Sequence, residues 1–273
     1  MRLLCWNVQW CRGLDGVVDP ARIAREARRC DADIICLQEV ASNFPDLPGS
    51  SGEDQPHALM HALPEYEGCL VSGVDLPARP NEKGVTAGRR SRFGNVILSR
   101  LKVGRVLRHS LPWPKADVPT MPRAAVEAVV EAPFGPLRVI TTHLEYYSGT
   151  HRAAQIERLR EVCSEGSERG KEDGPFRAMP HSQSAILCGD FNLPPHDPLH
   201  ARVTGFLVDA WQALHPGKPH PHTFRVHERA AGESPYCCDY VFVTGDLAPR
   251  LRSIRIDGEN RASDHQPVIV ELA

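Results

Sequence analysis

The chain twice repeats one order of elements, and that repetition limits the folds open to it. Leu3-Leu4-Cys5-Trp6-Asn7-Val8 is a short apolar run with a single polar residue near its end, the pattern of a strand buried on both faces. Asp19 then offers an N-cap and Pro20 a first helical position, after which Ile23, Ala27 and Cys30 fall at helical spacing. A second buried strand, Asp33 to Glu39, follows and also ends on a polar group. The order returns with a strand from Leu137 to Thr142 ending at His143, a helix from about His151 to Cys163 with Ile156, Leu159 and Cys163 on one face, and a strand from Ser184 to Asp190. Strand-helix-strand units favour parallel pairing with a right-handed crossover, and open α/β sheets bind ligands beyond the carboxyl ends of their strands. Asn7, Glu39, His143 and Asp190 stand at such ends.

Further strands are predicted near residues 66–71, 95–99, 124–130, 239–244, 250–256 and 267–272, several with the alternation of half-buried strands. The segments 42–55, 73–92, 110–122 and 166–183 are rich in Gly, Pro, Ser and charge, and read as long surface loops around the site. No stretch reads as a linker, so residues 1–273 are expected to form a single domain with a sizeable core. No run of about eighteen apolar residues is present to span a bilayer. The amino terminus turns polar at Asn7, too soon for a secretory signal, so a cytoplasmic protein is expected. Nine cysteines without a C-x-x-C pair, several inside apolar runs, are expected to be reduced core thiols rather than a structural zinc site. A net charge of −2 excludes a globally basic nucleic-acid coat but leaves room for a local basic patch.

The polar residues that interrupt or end apolar strands are Asn7, Glu39, His143, Asp190, Asn192, Asp239, Asp264 and His265. Hard oxygen donors dominate this set, and such donors suit magnesium or manganese, which share their shell with water and phosphate. A histidine directly after an aspartate, with two more aspartates available, supplies a general base and its orienter. Each residue taken singly has a competing structural reading as a cap or rim group. Eight of them at strand ends argue against that reading for the set.

The segments Cys5-Trp6-Asn7, Leu37-Gln38-Glu39-Val40, Thr142-His143-Leu144-Glu145, Gly189-Asp190-Phe191-Asn192, Cys238-Asp239-Tyr240-Val241-Phe242 and Ser263-Asp264-His265 resemble, in order, the motifs of the endonuclease/exonuclease/phosphatase superfamily. The resemblance implies a DNase I-like, four-layer α/β sandwich, in which two mixed β-sheets pack face to face between helices with the site at one end. It further implies a metal-dependent phosphoester hydrolase that uses magnesium, with manganese as the alternative, on a phosphodiester or phosphomonoester. By motif, Glu39 is then the direct metal carboxylate, Asn7 belongs to the metal shell and Asp264 lies close to the ion. Asp239 would hold His265, Asp190 and Asn192 would orient the attacking water and the phosphoryl oxygens, and His143 would donate to the oxygen that gains charge. Either Asp190 or His265 would take the water's proton.

Nucleic acid, or a nucleic-acid end, is the expected substrate. A small-molecule or lipid-headgroup phosphoester is the alternative, and a non-catalytic binding module on the same fold is a third reading. The Thr142 to Glu145 segment resembles the tyrosyl-DNA phosphodiesterase and neutral sphingomyelinase branches more than the apurinic endonucleases. Cys237-Cys238 stands where those endonucleases carry a basic or polar residue. Arg89, Arg90 and Arg92, in a loop leading into a strand, and Arg123, opening another, are candidate phosphate contacts, against the reading of a solvated loop. Trp10, Phe93, Trp113, Tyr146 and Tyr147 are candidates to stack on bases or cover a leaving group, whereas His220 and His222 read as loop or rim residues. No exposed apolar hairpin or amphipathic anchor points to a lipid surface. A monomer is expected from the resemblance.

Overall fold

In chain order the elements are β1 (Arg2–Asn7), α1 (Pro20–Arg29), β2 (Ile34–Ser42), α2 (Gln55–Ala62), β3 (Glu67–Pro77), β4 (Arg90–Ser99), β5 (Val103–Ser110), β6 (Ala124–Ala132), β7 (Gly135–His143), α3 (Gly149–Glu168), β8 (Ala185–Asp190), α4 (Pro198–Thr204), β9 (Val208–Asp209), α5 (Ala210–Leu214), β10 (Asp239–Val243), β11 (Leu251–Ile256) and β12 (Val268–Leu272). They belong to a computed structural model that describes residues 1–79, 89–168, 182–227 and 234–273. Both repeated units form as read: β1 pairs parallel to β2 and β7 parallel to β8, with α1 and α3 as the crossovers. Helix α1 starts where its signals lie. Asp19 Oδ1 accepts the Arg22 N–H at 3.0 Å, and Pro20 occupies the first turn, where a missing N–H costs nothing.

The described strands make two six-stranded mixed sheets, ordered β11-β12-β1-β2-β4-β3 and β5-β6-β7-β8-β10-β9. Strand alternation sorts their side chains into layers. Leu3, Cys5, Ile34 and Cys36 from one sheet meet Val126, Val139, Ile186, Cys188 and Val241 from the other in a single apolar cluster. The residues between them face outward: Leu4, Trp6, Ile35 and Leu37 pack on Ile23 and Ala27 of α1 and Leu59 of α2. Ile140, Leu187 and Phe242 do the same on Ile156 and Leu159 of α3 and Val203 of α4. The result is helix, sheet, sheet, helix, the expected four-layer sandwich. All nine cysteines are free thiols, and all but Cys163 are buried. Among the described residues no helix is long and apolar enough to cross a membrane.

Two expected loops are corrected. Much of 73–92 is a ribbon, because β3 continues to Pro77 and β4 begins at Arg90, pairing Asp75 with Arg92 and Leu76 with Ser91. Its polar composition belongs to an exposed sheet edge, where alternation no longer marks a core face; residues 80–88 lie outside the described residues. Segment 42–55 is tied by a bridge between Ser42 and Asp54 and ends in the first residue of α2. Segment 110–122 is irregular after Ser110, whereas α3 continues through 166–168 and residues 169–181 are outside the described set. The sequence reading did not include β5, β9, α2, α4 or α5. Helices α4 and α5 are too short for a periodic signal and rest on caps, Asp197 for Leu199 N–H and Asp209 for Trp211 N–H, each at 2.8 Å.

Gly189 sets how closely β8 lies on β7. Its φ is +144°, and a Cβ there would overlap Thr142 O. Gly189→Ala is expected to lower unfolding free energy by about 2 kcal/mol or more, read from urea denaturation. A midpoint equal to wild type would mean that the strand pair shifts at no cost.

Candidate active site

Alternation aims most of the site. Asn7 continues the face of Leu3 and Cys5, His143 that of Leu137 and Val139, Asp190 that of Ile186 and Cys188, and Asp239 that of Val241 and Val243, so all four face the layer between the sheets. The carboxyl ends of β1, β7 and β8 share one mouth with the amino end of antiparallel β10. Asp190 registers against both His143 and Asp239 there. Glu39 breaks the pattern, since regular alternation would send it with Leu37 toward the helices. The register of β2 on β4 shifts between Leu37 and Val40, and Glu39 has φ 59°. This bulge turns its side chain into the mouth, where Asn7 Nδ2 donates to Glu39 Oε1 at 3.1 Å. A left-handed non-glycine residue costs roughly 1–2 kcal/mol. Asn192, with φ 51°, shares that conformation, and its N–H donates to Asp190 Oδ1 at 2.8 Å.

The eight polar residues named from sequence come together. Asn7 Nδ2 also donates to Asp190 Oδ2 at 3.0 Å, and Gln9 Nε2 donates to Asp264 Oδ2 at 2.7 Å. Asp239 Oδ2 lies 2.9 Å from His265 Nδ1, leaving Nε2 3.7 Å from Asp190 Oδ2. The His265 ring rests against Phe224 with centroids 4.5 Å apart, while Trp6 Nε1 donates to its carbonyl at 2.9 Å. His143 Nε2 is 3.5 Å from Asp190 Oδ2 and 3.8 Å from Glu39 Oε1.

Burial dominates the charge balance. It pushes the Glu39 carboxyl up to about 7, with the charge of Asp264 adding to the effect. It also raises Asp190 to about 6, against the pull of His265. For His265, burial acts downward, but Asp239 and Asp190 together outweigh it and hold the imidazolium up to about 10. His143 is pushed well below the usual histidine range by burial, Arg123 and His265. Glu39 and Asp190 are thus short of positive charge. Glu39, His143 and Asp190 present ligand atoms within 4.8 Å of one another, and with Asn7 and Asp264 the donor set is mostly oxygen. That chemistry fits a hard divalent cation.

The four nominated arginines divide. Arg123 joins the site, but as a buried group between His143 and Glu145. Arg90 and Arg92 pair with Asp75 at 2.7 and 3.3 Å, and Arg89 bonds Asn43; none of these three lines the groove. Of the five nominated aromatics, Trp10, Phe93, Tyr146 and Tyr147 line a groove of about 400 Å³ over the polar floor, whereas Trp113 bonds Thr120 elsewhere. His222 is exposed. The His220 ring is largely buried: its Nε2 and that of His200 meet Asp209 Oδ2 at 2.8 and 2.9 Å. Sequence reasoning passed over Gln9, Glu145, Thr223 and Phe224 as site residues. Glu145 lay inside a quoted motif and Gln9 two residues from Asn7. Thr223, whose Oγ1 accepts the Asp239 N–H at 3.2 Å, carried no local signal.

The sequence profile of the Endonuclease/Exonuclease/phosphatase family matches residues 4–265. Among solved structures, an endonuclease/exonuclease/phosphatase from Beutenbergia cavernae is 25% identical with a TM-score of 0.71, the match covering 100% of this chain and 72% of that one. A mannosyl-6-phosphatase from Bacteroides thetaiotaomicron is 18% identical with a TM-score of 0.69, covering 100% and 99%. The human Nocturnin catalytic domain with bound sulfate is 17% identical with a TM-score of 0.63, covering 100% and 94%. No curated protein sequence matches the chain.

The raised carboxyl of Glu39 has a consequence for stability. Folded Glu39 holds its proton more tightly than the unfolded chain does, so its contribution to stability falls as pH rises from about 4.5 to about 7, and the full cost of ionising it in the fold is present above that. In metal-free protein Glu39→Gln is expected to be more stable than wild type at pH 8 by about 1–3 kcal/mol. The gain should shrink as pH falls from about 7 to about 4.5 and be gone at 4.5 and below, where both folded and unfolded carboxyls are protonated. Urea unfolding in EDTA at the two pH values checks this, and a less stable variant at pH 8 would mean the charge is already compensated.

Proposed function

The chain belongs to the endonuclease/exonuclease/phosphatase family, whose members are phosphoesterases, and we propose that it is a magnesium-dependent hydrolase that cleaves a phosphodiester by in-line attack of water. The observation that carries this reading is Asp190 Oδ2, set 3.5 Å from His143 Nε2 and 3.7 Å from His265 Nε2 at a mouth that also holds Glu39. Glu39 would hold the cation directly, with Asn7 and Asp264 beside it. When bound, the ion supplies positive charge to the phosphoryl oxygens. Manganese would serve the same oxygen donors.

The remaining work falls to side chains. Asp190 takes the water's proton, because His265 already carries its own up to about 10 while Asp190 is ionised above about 6. His265, aligned by Asp239, stabilises the phosphoryl group as a cation. Asn192 and His143 donate to the oxygens that gain charge. Residues 1–273 act as one domain, as a monomer in the cytoplasm.

The proposed substrate is a nucleic-acid end. Trp10, Phe93, Tyr146 and Tyr147 give the groove faces on which a terminal base can stack. One observation favours a second reading, a small or lipid-headgroup phosphodiester. Among the described lining residues Arg123 is the sole arginine or lysine, and it is committed to His143 and Glu145, so the groove offers little to track a long polyanion.

Asp190→Asn and His265→Ala should each lower kcat at least about a hundredfold against DNA, RNA, tyrosyl-linked ends, sphingomyelin and simple phosphodiesters, whichever the wild type cleaves. EDTA should abolish turnover, and Glu39→Gln should raise the magnesium needed for half-maximal rate. Activity untouched by either of the first two substitutions would leave the fold as a binding module. An unaltered metal requirement would remove Glu39 from the metal shell.

A further inference from the structure

The His143 ring is approached at both nitrogens by donors. Arg123 Nη1 lies 2.9 Å from Nδ1 and Asn192 Nδ2 lies 2.9 Å from Nε2. A neutral imidazole has one lone pair to offer, so one of the two must yield. A guanidinium has five N–H groups and no acceptor, and its charge makes the stronger bond. The Asn192 amide, by contrast, is uncharged and holds a second acceptor, Leu144 O at 2.9 Å, so it can give up the ring nitrogen without being left unpaired. Arg123 has no comparable freedom. It is 7% exposed, and its Nε is held 3.5 Å from Glu145 Oε2. Glu145 is fixed in turn by the backbone N–H of Tyr147 at 3.0 Å and of Met121 at 3.4 Å.

We infer that Arg123 is a positioning residue, backed by Glu145, that locks His143 in its Nε2–H tautomer so that the ring can only donate into the site. From Nε2 the proton faces Asp190 Oδ2 and Glu39 Oε1, the space that the proposed hydrolysis gives to the phosphoryl group, and the catalytic part of the inference rests on that reading. The lock decides what His143 cannot do. It cannot accept the water's proton at Nε2, and it cannot become an imidazolium without displacing the guanidinium from Nδ1. A carboxylate in the place of Arg123 would do the opposite, drawing a proton onto Nδ1. Arg123 acts through the histidine and need not touch the substrate.

The test is nuclear magnetic resonance of protein carrying isotopically labelled histidine, with His143→Gln identifying the signals of this ring. The expected spectrum of the wild type shows an unprotonated Nδ1 and a protonated Nε2. Arg123→Lys, which keeps a charged donor, should retain it, and Arg123→Met should move part or all of the proton to Nδ1. With bis(4-nitrophenyl) phosphate as probe, Arg123→Met should lower kcat about 10- to 100-fold with KM within about twofold, and Arg123→Lys should recover most of the loss. A proton on Nδ1 in the wild type, or an unchanged tautomer with unchanged kcat in Arg123→Met, overturns the inference. The spectra of wild type and Arg123→Lys decide the tautomer even if Arg123→Met does not fold. Because they need no substrate, a locked ring in a protein that hydrolyses nothing upholds the lock and rejects only the functional reading.

Discussion

The parallel pairing of β1 with β2 and of β7 with β8 governs the rest of the molecule. Parallel neighbours need a crossover, and a right-handed one places its helix on one face of the sheet. Both crossovers, α1 and α3, lie on outer faces, so the two inner faces are left to cover each other. Sheets packed at about 10 Å leave no room for a helix between them, and the layer fills instead with small and branched side chains such as Cys5, Cys36, Ala128, Val139 and Cys188. The same pairing brings the carboxyl ends of both units to one mouth, where the apolar layer stops and the polar residues begin.

That mouth is electrostatically and conformationally uncomfortable, and the rigid strands around it hold it so. Glu39 and Asn192 adopt left-handed backbone, and Gly189 is pressed against Thr142. Glu39, partly buried, and Asp190, fully buried, share one amide nitrogen, Asn7 Nδ2. Strain and crowded charge of this kind persist only where the surroundings over-determine them. Here they do: His265 is fixed at its carbonyl by Trp6 and at its ring by Asp239 and Phe224, and Ser263 Oγ ties the same loop to Asn7 O at 2.8 Å. On the proposed reading, a cation and an anionic group would meet side chains already fixed in place, which lowers the reorganisation needed on binding.

Much of this was legible in the residues. The two strand-helix-strand units, the Asp19-Pro20 helix start and the eight polar residues all rest on local chemistry, namely alternation, capping and interrupted apolar runs, although only Asn7, His143, Asp190 and Asp239 stand at strand ends, Glu39 lying within β2 and Asn192, Asp264 and His265 in loops. The edge ribbon of β3 and β4 was missed because an exposed strand has no buried face to impose alternation, and charged residues such as Arg90 and Asp75 then look like loop. Arg89, Arg90 and Arg92 were nominated for their charge, yet charge alone does not say whether a guanidinium meets a phosphate or a neighbouring carboxylate. Asp75, across the ribbon, took two of the three.

The residues alone settled the direction of the two parallel pairs and the identity of the groups at their ends, since each follows from a period of two or from contacts a few positions apart, whereas the layer order came with the resemblance of the six motifs. Tertiary structure decided how those groups are turned and charged. Glu39 enters the mouth only because β2 slips its register against β4, and Asp239 reaches His265 only because β10 runs antiparallel to β8. Arg123 lies inward on His143 because the pairing of β6 with β7 sets them side by side and burial leaves the guanidinium no solvent to turn to. Pairing across a sheet and loss of water act between residues far apart in the chain, and no local pattern carries them.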